Sequence, residues 1–291
     1  MKYDFEEITF CVFCRIDNEE RLENLKAMVG FYRRYSDNTK FIISEDGKVP
    51  RVPDIIDFTE RDVYTFTYND DQWRKSEGYN KCIKLAKTNT LVFNDVDAII
   101  HPDQIIETHN QISNDKNVGL IYPYNGLFLC TDKESKTEFI NKDFDYDVLL
   151  QRFPKVLEHF DGDVSSKYQG RVLEHQYINQ TFNGILVGHV CSKGGCVMGR
   201  RDNIIKCNGY NPLFKGWGYE DDEFPYRVSK LGYVVGRTPG IKKPCWHLHH
   251  FDGSGSPKET QPYYDQNNDE VMRVQGMDKE QLEQYKAKWR L

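Results

Sequence analysis

The sequence predicts a single α/β domain, a mixed sheet flanked by helices and interrupted by one insertion. Apolar, β-rich runs alternate with segments of helical spacing through about residue 125, the order that builds a parallel sheet covered on its faces. The stretch 131–185 breaks that rhythm with charged and aromatic sequence, which reads as an insertion rather than a second domain. A length of 291 residues suits one elaborated domain better than two large ones.

Element by element, Ile8–Cys14 is a continuous apolar run, as a buried parallel strand requires. Asn18–Arg34 carries Leu22, Leu25, Met28, Val29 and Tyr32 on one helical face. Lys40–Ser44 is a second strand ended by Glu45-Asp46-Gly47, and Val63–Tyr68 is a third. Trp73–Ala86 reads as a helix, Asn89–Phe93 as a strand, Pro102–Ile112 as a helix and Val118–Tyr122 as a strand. Inside the insertion, Val148–His159 and Arg171–Gln180 have weak helical spacing. Sheet-like sequence resumes at Gly184–Val190 and Gly195–Gly199. A helix from Phe224 to Leu231 and a strand at Tyr233–Arg237 follow, then loop composition at Phe251–Pro262 and a charged terminal helix at Met277–Trp289.

Hydrophobic residues make up 38% and aromatics 13% of the chain, enough for a large core. A net charge of -6 argues against a nucleic-acid binder held by phosphate attraction. Met1–Glu7 has no apolar signal core and no run is long enough to span a membrane. The expectation is a soluble cytoplasmic protein with its eight cysteines reduced; peripheral membrane association stays open. Cys11 and Cys14 lie three positions apart on a strand, face opposite sides and do not suit a shared zinc.

The chemistry is concentrated in a few motifs. Gly216-Trp217-Gly218-Tyr219-Glu220-Asp221-Asp222-Glu223 sets four consecutive carboxylates behind a rigid turn. One or two acids would complement a helix dipole. Four repel one another, so some are expected to meet a proton, a sugar hydroxyl or a cation. Leu91-Val92-Phe93-Asn94-Asp95-Val96-Asp97 ends a buried strand with two carboxylates two positions apart. In extended backbone Asp95 and Asp97 point the same way, at the edge where open α/β sheets bind ligands. Both can reach one divalent cation or its phosphates, and oxygen ligands suit magnesium or manganese.

Pro244-Cys245-Trp246-His247-Leu248-His249-His250 adds three histidines in four positions. On a strand His247 and His249 would share a face; in a turn His247 and His250 would converge. Trp73-Arg74-Lys75 opens a helix carrying Asn80, and an aromatic followed by cations can stack a base and hold phosphate. Arg15, directly after the first strand, lies at the same sheet edge, and Gly194-Gly195 allows close backbone approach to a ligand.

In this order these motifs resemble the β-1,4-galactosyltransferase family and the related bacterial chondroitin-polymerase-type transferases, over roughly residues 8–125 and 184–255. The resemblance implies the GT-A fold. It divides the chain into a nucleotide-sugar-binding half (1–125), an insertion and acceptor region (126–190), a catalytic half (191–255) and a flexible loop with a C-terminal helix (256–291). It implies an inverting transfer of a sugar, galactose or N-acetylgalactosamine first among them, from a UDP-sugar to a glycan acceptor. Asp97, His247 and His250 would hold Mn2+ (or Mg2+). Arg15, Asp46, Trp73, Arg74, Lys75, Asp95, Gly194, Gly195 and Glu220 would bind the donor, Trp73 over the uracil. Trp217 and Asp222 would bind the acceptor, Asp221 would be the general base, and Glu223 is left as a helix-capping acid. Ser192-Lys193 stands where family members often carry an aromatic residue, which leaves the donor sugar open. Two other readings share parts of the pattern: a metal-dependent phosphohydrolase or nucleotidyltransferase built on Asp95-Val96-Asp97, and a non-catalytic glycan-binding protein.

Overall fold

The computed structural model describes residues 2–152, 176–182, 185–190, 192–238, 243–250 and 262–291. The first half builds as its hydrophobic pattern demands. β1 (Ile8–Cys14), β2 (Phe41–Gly47) and β4 (Thr90–Asn94) are buried along their whole length, and β3 (Val63–Tyr68) forms a half-exposed edge. These four pair in parallel in the order β4-β1-β2-β3. The short β5 (Ala98–Ile99) follows, then β6 (Val118–Tyr122) and β7 (Phe128–Cys130).

Helices α1 (Glu19–Tyr35), α2 (Lys75–Leu85) and α3 (Pro102–Asn114) connect the strands. Asn18 caps α1 by accepting from the Arg21 N–H, so the helix begins one residue later than its apolar spacing suggests. Likewise α2 begins at Lys75, leaving Trp73 and Arg74 in the loop before it.

The second half departs from the parallel rule. β10 (Cys196–Arg200) runs antiparallel between β4 and β6, and β11 (Val234–Arg237) pairs in parallel with β6. The result is a seven-stranded mixed sheet in the order β11-β6-β10-β4-β1-β2-β3. A second sheet, β5-β12-β7-β9-β8, was not expected. It contains β8 (Gln176–Phe182), β9 (Ile185–Val190) and β12 (Cys245–His247).

β8 corrects the helix expected at Arg171–Gln180, over the part that is described. Phe182 pairs with Ile185, and the sequence between them is Asn183-Gly184, a strong two-residue hairpin signal. Cross-strand pairing outweighs a weak helical period.

The insertion opens with α4 (Lys133–Asn141) and α5 (Tyr146–Arg152); the remainder of the expected helix Val148–His159 lies outside the described residues. α6 (Arg201–Lys206) and α7 (Glu220–Lys230) follow β10. The terminal helix expected at Met277–Trp289 forms over a shorter span as α9 (Lys279–Lys286), and α8 (Tyr264–Gln275), which was not expected, precedes it. α8 is poor in helix formers, but its buried Asn267 donates to the carbonyls of Lys215, Trp217 and Gly218. Those tertiary contacts compensate for its low propensity. The loop expected at Phe251–Pro262 lies outside the described residues except for its last position.

Aromatic packing sets two helices against the end of β4. Tyr79 of α2 and Phe224 of α7 meet Phe93 and Tyr210, with the Tyr210–Phe224 centroids 4.0 Å apart. This cluster aims the start of α2 and the start of α7 at the same sheet edge.

Gly195 joins the two sheets. Its φ of +83° favours glycine, and a Cβ there would lie 2.7 Å from Phe128 Cε2 and 3.0 Å from Cys245 Sγ. Gly195→Ala is therefore expected to destabilise the fold by about 2 kcal/mol or more, adding overpacking to backbone strain. A thermal melt followed by circular dichroism should fall by on the order of 5 °C; an unchanged midpoint would contradict this account.

Candidate active site

Asp97, His247 and His250 are buried together. Asp97 leaves the end of β4, His247 ends β12, and His250 lies three residues beyond. The Nε2 atoms of His247 and His250 stand 3.3 and 3.2 Å from Asp97 Oδ2. One ligand atom from each residue falls within 4.8 Å of the others, and among the described residues this is the one such group. Burial alone would raise the Asp97 carboxyl, but the two imidazoles hold it well below the usual carboxylate range.

One carboxylate oxygen with two imidazole nitrogens is a mixed donor set that fits manganese better than magnesium, which prefers oxygen throughout. His249 is excluded from the group. Its backbone N–H is held by Thr131 Oγ1 at 3.0 Å, and its side chain is absent from the cluster.

The acidic block divides among three cations. α7 starts at Glu220, so all four acids lie in its first turn. Tyr219 is the N-cap in a left-handed conformation, φ 71°, with no side-chain capping bond. Lys75 Nζ sits 3.1 Å from Asp95, 3.2 Å from Glu220 and 3.3 Å from Asp221. Lys75 is thus among carboxylates rather than beside Arg74, and the three acids raise its pKa against the opposing effect of burial. Burial pushes the Asp221 carboxyl up to about 8; Lys75 opposes that, while Glu220 and Asp95 add to it.

Asp222 pairs with the buried Lys193 at 2.6 Å. Glu223 corrects the capping expectation. It is buried and forms a two-pronged pair with Arg227 one turn on, at 2.5 and 3.1 Å, and Arg227 also donates to the carbonyls of Cys207 and Gly209. Glu223 therefore anchors α7 to the core, while the other three acids face the sheet edge.

Asp46, at the end of β2, accepts from Asn69 Nδ2 at 2.6 Å and from the Arg74 N–H at 3.0 Å. Its other oxygen is buried without a hydrogen bond, 4.0 Å from Arg15. Arg15 donates to the carbonyls of Asp71 and Asn69. The Arg21 guanidinium carbon lies 5.1 Å from the Trp73 ring centre. Arg15, Asp46 and Arg74 thus form one group, separate from Lys75, and Trp73 precedes Arg74 in the chain with its ring against Arg21. Asn80, by contrast, is structural, exchanging hydrogen bonds with the Tyr210 backbone.

Gly194 and Gly195 enter β10 beside the end of β4, where Gly195 O accepts from the Asp95 N–H at 2.8 Å. A Cβ on Gly194 would stand 3.4 Å from Asp221 Oδ2. Trp217 stacks on Tyr264 with centroids 5.9 Å apart and planes 14° off parallel.

Several residues of this edge escaped sequence reasoning: Asn69, Arg21, Tyr264 and Tyr79, while Lys193 was marked for the donor sugar and not as the partner of Asp222. Tyr79 donates to Asp95 Oδ1 at 3.1 Å and stands four positions after Lys75, so their shared helix face was a usable signal. For the others the partners are distant in sequence and no local pattern marks them.

Two family models match the chain: glycosyl transferase family 2 over residues 18–173, and the N-terminal domain of galactosyltransferase over residues 191–251. Among curated proteins, β-1,4-galactosyltransferase 7 of Drosophila melanogaster is 41% identical over 49 residues, 17% of this chain and 15% of that protein. The Homo sapiens protein is 39% identical over 59 residues, 19% of this chain and 18% of that protein. The matches thus span less than a fifth of those relatives. Among solved structures, the catalytic domain of Drosophila β-1,4-galactosyltransferase 7 with xylobiose aligns at TM-score 0.44 and 17% identity, covering 84% of this chain and 71% of that one. A mannosyltransferase from Pyrobaculum calidifontis with GDP-Man and Mn2+ aligns at TM-score 0.47 and 14% identity, covering 92% and 64%.

Proposed function

Because the chain belongs to glycosyl transferase family 2, we propose that it is a metal-dependent inverting glycosyltransferase. It moves a hexose or N-acetylhexosamine, galactose or N-acetylgalactosamine first among them, from a UDP-sugar to a hydroxyl of a glycan acceptor. One observation carries the reading. The Asp97–His247–His250 group and the Lys75–Asp95–Glu220–Asp221 group adjoin through Asp95-Val96-Asp97, so a divalent-ion site and a protonatable carboxylate share one sheet edge.

Asp97, His247 and His250 would hold manganese, which when bound supplies Lewis-acid stabilisation of the leaving diphosphate. Arg15, Asp46, Trp73 and Arg74 bind the nucleotide. Lys75, Asp95, Glu220, Gly194 and Gly195 surround the donor sugar, and Trp217 and Asp222 receive the acceptor. The acceptor oxygen attacks the anomeric carbon as the bond to the diphosphate breaks. Asp221 takes the hydroxyl proton, which a free sugar hydroxyl gives up too reluctantly without a base. Attack opposite the leaving group inverts the anomeric centre. The galactosyltransferase model matched at residues 191–251 supports the choice of sugar. We assign the activity to the cytoplasm.

The test is product identity. The protein is incubated with UDP-Gal, UDP-GalNAc, UDP-glucose and GDP-mannose, with manganese and a glycan panel. Release of UDP with transfer of a galacto-configured sugar is expected. Release of UMP or inorganic phosphate without transfer would favour the phosphohydrolase reading, and absence of both turnover and donor binding would overturn the proposal.

A further inference from the structure

The segment that carries the two histidines has no regular structure beyond His247, so its backbone polar groups depend on other elements. Most are accounted for. His247 O accepts from the Thr131 N–H at 2.9 Å, the Leu248 N–H donates to Asp97 O at 2.7 Å, and the His249 N–H donates to Thr131 Oγ1 at 3.0 Å. The two carbonyls between the ligands, Leu248 O and His249 O, both accept from one side-chain amide, Asn24 Nδ2 of α1, each at 3.3 Å.

Asn24 is fully buried, 224 residues away in sequence from Leu248. Its other amide atom is also occupied: Lys136 of α4 donates to Asn24 Oδ1 at 3.2 Å. An ammonium group can only donate, so it fixes which end of the amide is oxygen and leaves the N–H2 aimed at the carbonyls. The Lys136 side chain is 3% exposed and is also paired with Glu23 at 2.7 Å. Burying an ammonium is costly unless it is paired and hydrogen-bonded. α4 is the first helix of the insertion, so Lys136 couples that insertion to the histidine segment.

We propose that Asn24, oriented by Lys136, is a positioning residue for the metal centre, holding the Leu248-His249 backbone so that the His247 and His250 nitrogens converge on Asp97. Neither residue touches the donor atoms; both act through the peptide between the ligands. The proposal rests on Asp97, His247 and His250 binding a divalent ion.

The test is manganese affinity of the full chain, by water-proton relaxation or isothermal titration calorimetry, without substrates. Asn24→Asp has nearly the same shape and keeps the oxygen facing Lys136 but cannot donate to the carbonyls. It is expected to weaken manganese binding by about tenfold, the lower end of what groups orienting metal ligands are worth. Lys136→Met should weaken it to a smaller extent, and this variant serves if Asn24→Asp does not fold. Asn203→Ala is the control: Asn203 Nδ2 likewise donates two hydrogen bonds, to Lys116 O and Val118 O, so the variant should lose stability and keep wild-type affinity. Unchanged affinity in both Asn24→Asp and Lys136→Met, or an equal loss in the Asn203 control, would overturn the proposal and leave the metal assignment standing. A wild-type protein without manganese affinity would overturn both.

Discussion

Asp221→Asn is expected to lower kcat by about 10²–10⁴-fold, the range a positioned general base supplies. Donor KM should change little, because asparagine keeps the shape and loses only the proton-accepting charge. The pH dependence gives an independent reading. The Asp221 carboxyl is pushed up to about 8 by burial and by Glu220 and Asp95, against Lys75. A base works deprotonated, so kcat/KM in the wild type should rise with pH through an apparent pKa near 8 and level off above it.

Lys75 favours the ionised form of Asp221, so Lys75→Met should move that limb to higher pH. The stability consequence has a definite sign. The folded-state pKa lies above the unfolded value, so Asp221's contribution is fully present below about pH 4 and is lost as pH rises through its folded value. Asp221→Asn should therefore raise the melting midpoint relative to wild type at pH 9 more than at pH 4. A rate limb that stays in the ordinary carboxylate range, or does not move in Lys75→Met, would refute the role given to Asp221.

Asp97→Ala is expected to weaken manganese binding by more than about 100-fold, because loss of a direct ligand should exceed the 10–100-fold cost of removing its outer partners. It removes the only oxygen donor of the group and leaves two imidazoles without the carboxylate they share. Turnover should fall in parallel and resist rescue by millimolar manganese. His249→Ala is the matching comparison and should bind manganese as the wild type does. Titration of the three proteins with manganese decides it; equal affinity of Asp97→Ala and wild type would remove the metal assignment.

Much of the fold was legible because the relevant patterns are local. Continuous apolar runs at Ile8–Cys14 and Asn89–Phe93 marked buried strands, and the carboxylates after the second of these marked the edge where the candidate site gathers. The reading failed where pairing overrides periodicity. Arg171–Gln180 has weak helical spacing, yet its described part lies in the strand Gln176–Phe182, because the partner β9 lies two residues on. Tyr264–Gln275 has poor helix formers and is a helix, because Asn267 docks it on the Gly-Trp-Gly turn.

The sequence by itself determined the alternation that makes an α/β sheet and the chemistry near its edge: Asp95 and Asp97 after a strand end, an acidic block behind a tryptophan turn, and a histidine cluster. The extended backbone expected to point Asp95 and Asp97 the same way is instead a turn, closed by the Ala98 N–H donating to Asp95 O, so Asp97 joins the histidines and Asp95 joins Lys75. Spacing along one element says which residues share a face, and that information is contained in the order of residues. The tertiary structure alone decided which groups meet. It chose His247 and His250 over His249 because β12 ends at His247 and the chain then turns back past Asp97. It divided four adjacent acids among Lys75, Lys193 and Arg227, which lie 146, 29 and 4 positions away from Asp221, Asp222 and Glu223. The register of packed elements fixes such partners, and an ion pair is set by distance in space, not along the chain.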